Sequence, residues 1–511
     1  MTNGHIGISG RLPIPPTSCD VVVIGAGVAG LSCANYLVQA GMSVVLVEKH
    51  YVVGGCCSSF RRGPYYFDAG AHYLSSCRQN GQVGKLIRDM DLKIELIRCN
   101  PSDLIIAGEK RVQLVNSSLQ AMSREFECLF PGQADHIRRF WSYIGETDSR
   151  LLYADLQSLT FRQLLDRFFK DQELRNLLSV PLGNIGLPSN RASALTAAFL
   201  YREYLLDGGY YPRGGMQKFP DALLESFRRM GGTALLLTPA ERINLDYRGS
   251  VRSVSIKVAG TQRGEIKTKY VVANCDPIQL WTCLLGSEET AALRLASSSS
   301  RFVPSISCFM VHLGVKMDLR KVTQEYCNIW YYPGSCIDSY YEGLLRGEVE
   351  FGKDGFLICS LPSLHDSRLL PEGRHSIHLI VGAPVKDRAF WEANKERLAN
   401  DLVNRLERFF PSVSKSIEVR QVATPFTLMK YTRNYQGAMY GWASTPESVG
   451  RNRVVEEMGA ERIYLTGHWT GLPTGYSGIP TAVASGRLVA GKILRQERST
   501  GIAVGQEERM P

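Results

Sequence analysis

Residues 19–48 decide the fold: Cys19-Asp-Val-Val-Val-Ile24, then Gly25-Ala-Gly27-Val-Ala-Gly30, then Leu31 to Ala40, then Ser43-Val-Val-Leu-Val-Glu48. The first run is continuously apolar and β-branched, the pattern of a parallel strand buried on both faces. Leu31, Ala34 and Leu37 recur at helical spacing, and Gly41 supplies a stop. A second apolar run follows and ends in an acid. A glycine loop alone is weak support for a ligand, but one between a strand and a helix, followed by a strand that ends in an acid, is strong.

The spacing has a chemical reason. Gly25 allows the tight turn, Gly27 admits a pyrophosphate, and Gly30 lets the helix lie close to the strand. The helix N-terminus, opening through Ala29, offers unpaired N–H groups and a positive dipole end to phosphate. Glu48, with Lys49 beside it, can accept from a ribose 2′-hydroxyl, which favours FAD or NAD over NADP. The competing reading is a βαβ unit that holds nothing.

Gly54-Gly55-Cys56-Cys57-Ser58 comes next, then Phe67-Asp68-Ala69-Gly70-Ala71-His72-Tyr73. With these motifs the chain resembles the two-dinucleotide-binding-domain flavoproteins, and among them the carotenoid desaturase and isomerase family. The Gly-x-His-Tyr form is most similar to the retinol saturase branch. The resemblance implies FAD, with Gly55, Cys56, Ala71 and His72 along the cofactor. Cys56 stands where that family has a basic residue, so Arg61 or Arg62 is the expected phosphate contact.

The resemblance continues through Asp207-Gly-Gly-Tyr-Tyr-Pro-Arg-Gly-Gly-Met216, which matches the family's Tyr-Pro-x-Gly-Gly-Met signature before a helix at 219–230. It implies that residues 241–243, including Arg242 and Ile243, run beside the adenosine. The closing segment, Ile463-Tyr-Leu-Thr-Gly467-His468-Trp469 through Tyr476-Ser-Gly478-Ile479-Pro480, resembles the family's C-terminal flavin motif. Gly467, Ile479 and Pro480 are its cofactor contacts, and Pro480 suits a first helical turn because it needs no donor bond. His72, His468 and Tyr476 are the candidate catalytic side chains, since a histidine of near-neutral pKa suits a proton acceptor.

The rest of the chain sets bounds. At 511 residues two domains are expected. Thirteen scattered cysteines, odd in number, argue for a reducing compartment rather than a disulfide framework. The net charge of +10 is spread out, so no nucleic-acid partner is expected. No run of 18 apolar residues occurs. Residues 1–18 lack the apolar core of a signal peptide and read as a loose cytoplasmic tail. Helices are expected at 84–92, 118–130, 133–153 and 161–178, with a hairpin turning at Gly108-Glu109. Phe126, Phe130, Phe140, Trp141, Phe168 and Phe169, with Arg138, Arg139 and Arg162 nearby, offer a candidate patch for peripheral attachment to a membrane. Strands are expected at 252–258, 265–269 and 270–274. Ile306, Cys308, Met310 and His312 alternate with Ser307, Phe309, Val311 and Leu313, which together with 357–360 and 376–381 suggests an antiparallel sheet. His312 reads as a satisfied core or edge histidine. His375 and His378 lack an acid or Cys to complete a metal set, so no metal is expected. Trp391, Leu398, Leu402, Leu406 and Phe409 mark a covering helix.

The expected architecture is a doubly wound, Rossmann-like α/β FAD domain, discontinuous in sequence (19–83, 207–280 and 437–497). A substrate domain of mixed or antiparallel sheet plus helices (84–206 and 281–436) is inserted, and 498–511 forms a second tail. Together with the resemblance, this implies an FAD-dependent oxidoreductase acting on an apolar polyene or prenyl-like substrate, by desaturation, saturation or redox-coupled isomerisation. The competing functions are a flavin amine or amino-acid oxidase and a non-catalytic prenyl-binding protein like the Rab-escort and GDP-dissociation-inhibitor proteins. The electron acceptor has no signature in the sequence.

Overall fold

The computed structural model describes residues 14–259, 261–286, 303–321, 328–334, 336–349, 355–449, 461–470 and 478–507. A seven-stranded sheet is built around β1 (Ser18–Ile24). β1 pairs in parallel with β2 (Val44–Val47) on one side and with the second half of β12 (Gln262–Ala273) on the other. β9 (Thr233–Leu235) extends the sheet beyond β2, and β18 (Ile463–Leu465) pairs in parallel with Val271–Ala273 of β12. The first half of β12 instead pairs antiparallel with β11 (Val251–Val258), which carries β10 (Ala240–Leu245) at the edge. The sequence suggests two strands here because the charged stretch 262–269 reads differently from the apolar 270–273. One strand has two environments, an antiparallel edge and a parallel centre.

The helix α1 (Val28–Gln39) covers one face of this sheet, and α2 (Lys218–Arg229) and α4 (Ile479–Glu507) flank it. The crossing of α1 and α4 is close: a Cβ at Gly486 would come within 2.5 Å of the Ala29 carbonyl oxygen. α4 continues to Glu507, through residues expected to form a tail.

A second seven-stranded sheet runs in the order β17 (Ile417–Ala423), β13 (Ser307–Lys316), β16 (Arg374–Ala383), β15 (Leu357–Ser360), β14 (Asn328–Tyr332), β6 (Asp103–Ala107), β7 (Lys110–Gln113). The expected hairpin at Gly108 is present and joins this sheet through a parallel β6–β14 pair. Both faces are buried. Phe309, Val311, Leu313 and Val315 pack with Leu398 and Leu402 of α3 (Arg388–Leu406), while Ile306, Cys308 and Met310 belong to the main core shared with α1.

Two long helices expected from apolar periodicity are broken. The 133–153 span divides into Ala134–Glu146 and Ser149–Leu156, with Asp148 capping the second; 161–178 divides into Phe161–Phe168 and Gln172–Ser179, with Asp171 as cap. Each Asp accepts one backbone N–H of the new helix, from Arg150 and Leu174 respectively, an alternative to continuing the old one. The membrane patch is not at the surface: Phe126, Phe130, Phe140, Trp141 and Phe169 are buried and Phe168 packs against the same core. Arg138 pairs with Glu127 and Asp135, and Arg162 with Asp338. No helix among the described residues is long and apolar enough to cross a membrane.

Candidate cofactor and active site

α1 starts without a side-chain cap. Gly27 is its N-cap and no acid lies in its first turn, so the N–H groups of the first turn face outward with the helix dipole behind them. The glycines of the loop are required by close approach. A Cβ at Gly30 would sit 2.2 Å from the Gly25 carbonyl oxygen, and one at Gly27 2.7 Å from Asn274 Nδ2. Gly25 has φ +98°, open to glycine at no steric cost.

Asn274, just past β12, is the hub of this loop. Its Nδ2 donates to the Gly25 carbonyl oxygen at 3.2 Å, and its Oδ1 would lie 3.0 Å from a Cβ at Gly467. The Gly467 N–H donates to Ser485 Oγ of α4 at 2.9 Å. The loop at one end of the chain and the closing motif at the other therefore meet around one side chain, with Ala29 beside Gly467. Asn274 was legible as a strand end but not as a hub; its signal is its place at the carboxyl end of a central strand in a doubly wound sheet.

Glu48 directly follows β2 and accepts from two backbone N–H groups, Ala26 at 2.7 Å and His50 at 2.8 Å. Each carboxylate oxygen keeps a further lone-pair site for a hydroxyl donor. The Gly54 N–H donates to the Ala26 carbonyl at 2.8 Å, and Gly55 lies against Gly27, where its Cβ would be 3.4 Å from the Gly27 Cα. The Ala71 N–H donates to the Cys56 carbonyl at 2.9 Å, which docks the 67–72 segment on the same loop. Uncapped helix, glycine cradle and terminal acid fit the pyrophosphate and ribose of an adenine dinucleotide.

Asp68 ties this segment to the second motif. It accepts from Ser59 Oγ at 2.8 Å, from the Tyr211 hydroxyl at 2.8 Å and from the Met216 N–H at 3.3 Å. Burial pushes its carboxyl up to about 6. Gly215 is needed because a Cβ there would meet the Tyr66 hydroxyl at 2.3 Å.

The other expected cofactor contacts have varied surroundings. The backbone beside Glu48 is 235–238, where the Thr238 N–H donates to the Glu48 carbonyl at 2.7 Å. Arg242 is exposed on β10, and Ile243 is buried with the other sheet face. Lys49 Nζ donates to the Lys430 carbonyl at 3.3 Å, and burial lowers its ammonium to about 8. Arg61 and Arg62 stand exposed on the β3 (Ser59–Arg62) and β4 (Tyr65–Asp68) hairpin, over the rings of Tyr66 and Phe60. Ile479 and Pro480 open α4 as expected. Tyr476 lies outside the described residues.

His72 and His468 differ from the expected near-neutral histidine. Burial lowers both imidazoles to about 4, so both are neutral at pH 7. The His72 Nδ1 is buried without a partner. Burial also lowers His312 to about 4 and His378 further. A pKa depressed on folding means that the unfolded chain binds more protons, so these four cost stability as pH falls from ~6.5. Asp68 and Asp276, both raised to about 6, act in the opposite sense below that value. With His50 and His375, also lowered by burial, six imidazoles oppose five carboxyls once Asp103, Asp207 and Asp221, also raised by burial, are included, and Tm should fall between about pH 7 and pH 5. A Tm that rises over that interval would contradict the burial of these histidines.

The fold and the loop define a dinucleotide-binding flavoprotein. A family model described as flavin containing amine oxidoreductase matches residues 28–494, and the chain belongs to that family. It is an FAD-dependent oxidoreductase. Among curated relatives, the zeta-carotene-forming phytoene desaturase of Myxococcus xanthus is 24% identical, covering 95% of each chain. An all-trans-retinol 13,14-reductase of Danio rerio is 22% identical over 83% of this chain and 78% of its own. A chloroplastic prolycopene isomerase of Daucus carota is 22% identical, covering 83% and 71%. Solved structures sharing the fold include an oxidoreductase from Methanosarcina mazei (TM-score 0.64, 15% identity, covering 91% of this chain and 99% of that one) and a putrescine oxidase variant (TM-score 0.62, 17% identity, covering 94% and 100%).

Proposed function

We propose that the chain acts on an apolar polyene or prenyl-like substrate, by desaturation, saturation or redox-coupled isomerisation. The observation that carries this reading is the face that the second sheet turns toward the cofactor loops. Ile306, Cys308, Met310, Ile358 and Ile380 line it, all buried, with no acid, Lys or Arg among them. An amine substrate needs an ionic anchor; the histidines on that face, His312 and His378, are neutral, and the wall offers contact to a long carbon chain instead. The relatives named for carotenoids and retinol support the same direction.

The division into an FAD domain and an inserted substrate domain is part of this proposal. So are the roles of the site residues. The first-turn N–H groups of α1, with Gly25, Gly27 and Gly30, hold the pyrophosphate; Glu48 holds the ribose; Gly55, Cys56, Ala71, Gly467, Ile479 and Pro480 border the rest of the cofactor. When bound, FAD supplies hydride exchange at its N5. The protein excludes water and orients the chain. His72, neutral at pH 7, is assigned the role of accepting a hydrogen bond or a proton, with His468 as the second candidate.

The test is product mass. Polyenes and a panel of amines are incubated with the FAD-loaded protein, and products are read for gain, loss or retention of two hydrogens. Conversion of a polyene supports the reading, and conversion of amines alone refutes it. His72→Ala should slow polyene conversion about 100-fold while FAD stays bound. Because His72 ionises near 4, the wild-type rate should show no limb near pH ~6.5 that the variant loses. Such a limb would contradict this placement.

A further inference from the structure

Four of the nine histidines lie between the cofactor loops and the second sheet, His312 and His378 buried and His72 and His365 half-buried. His312 of β13 and His378 of β16 are direct partners across the sheet, with ring centroids 4.9 Å apart. They are 3% and 2% exposed. Phe67 contacts both rings, at 5.7 and 5.8 Å, and Phe60 stands edge-on to His312 at 5.3 Å. His72 neighbours His378 on one side and His365 on the other. In each of the four a buried ring nitrogen has no partner: Nδ1 of His72 and His312, Nε2 of His365 and His378. His312 is therefore not the satisfied core histidine that its strand pattern suggests.

Buried polar atoms are normally paired, and an exception calls for a missing partner. Here the exceptions are adjacent, and they stand on the same sheet face as Ile306, Cys308, Met310 and Ile380. An apolar wall with two placed polar groups is the form of a specificity pocket. Among the described residues no group of three or more His, Cys, Asp or Glu is arranged to hold a metal ion. Both imidazoles are neutral, so the one unpartnered nitrogen of each is an N–H donor or a lone pair according to the tautomer, and the pair together can donate and accept. That set matches an uncharged oxygen. A carboxylate or an ammonium would be buried there without a counter-charge.

The geometry points to His312 and His378 as the polar-end anchor of the substrate pocket, taking a polyene that ends in a hydroxyl or carbonyl oxygen in preference to the bare hydrocarbon. This rests on the polyene reading above and narrows its substrate class. Neither residue is needed for the redox step; both are specificity residues that fix which end of the chain lies deepest.

The experiment is equilibrium binding to the oxidised, FAD-loaded protein, read by tryptophan fluorescence quenching. The probes are all-trans-retinol, its aldehyde, and the hydrocarbon in which hydrogen replaces the hydroxyl. A neutral hydrogen bond corresponds to about a 10-fold change in affinity, so the wild type should bind both oxygenated probes about 10-fold tighter or more. The double variant His312→Leu/His378→Leu, checked for flavin content and Tm, should bind all three within about 2-fold of one another. Equal binding by the wild type overturns the anchor and leaves the polyene reading standing. So does a preference that survives in the double variant. If that variant does not fold, the single variants His312→Gln and His378→Gln take its place, and a preference unchanged in both overturns the anchor. Failure to bind any of the three overturns the anchor and leaves the polyene reading to the product-mass test.

Discussion

Gly30→Ala is expected to give a protein with almost no bound FAD and a lowered Tm. The added methyl would stand 2.2 Å from the Gly25 carbonyl oxygen and 2.9 Å from Asn274 Nδ2, and both neighbours are held. Gly25 is fixed by its φ of +98° and by the Asn274 bond, so the loop cannot yield without opening the strand–helix contact. Overpacking of this kind costs about 1–3 kcal/mol or more, and displacing α1 removes the N–H groups from phosphate, a loss of about 100-fold or more in FAD affinity. Gly41→Ala is the comparison. Gly41 also has a positive φ, +90°, but nothing lies within 4 Å of its added Cβ, so that variant should stay yellow. Flavin absorption per mole of protein after gel filtration checks both. A Gly30→Ala protein with wild-type flavin content would remove the close helix–strand approach from the account.

Glu48→Ala is expected to weaken FAD about 10- to 100-fold, the loss of one charged hydrogen bond worth roughly 1.5–3 kcal/mol. The carboxylate does two jobs. It accepts the Ala26 and His50 N–H groups, which shapes the turn around the ligand, and it is the group proposed for the ribose. Glu48→Gln keeps one carbonyl acceptor and should lie between wild type and Glu48→Ala. Titration of apoprotein with FAD, followed by flavin fluorescence, measures all three. An unchanged Glu48→Ala affinity would assign the ribose to another residue.

These effects were readable because residues 19–48 are local: strand, turn, helix and acid follow one another, and periodicity and glycine spacing report all four. The same holds for the hairpin at Gly108. What was not legible depends on long-range pairing. Asp68 and Tyr211 lie 143 positions apart, and each motif by itself shows only a conspicuous acid or a glycine pair. Asn274 and Gly467 meet only because β18 adds to β12. The family resemblance implies Arg242 beside the adenosine; what the sequence does not show is that 235–238 hydrogen-bonds to the Glu48 backbone while β10 forms the sheet edge. The histidines show the limit most clearly. Their residue type suggested titration near neutrality, whereas burial sets their pKa, and burial belongs to the packed whole. The aromatic helices at 126–169 carried an interfacial pattern that interior packing also produces, and packing prevailed.

The most direct measurement of the central claim is anaerobic redox exchange between the bound flavin and a polyene. Oxidised protein is mixed with partly saturated polyenes, chemically reduced protein with conjugated ones, and each with a panel of amines, while the flavin's visible absorption is followed. The account predicts exchange with a polyene in at least one direction and none with the amines. Exchange with amines alone would contradict it and make the apolar wall around Met310 and Ile380 a core rather than a substrate surface.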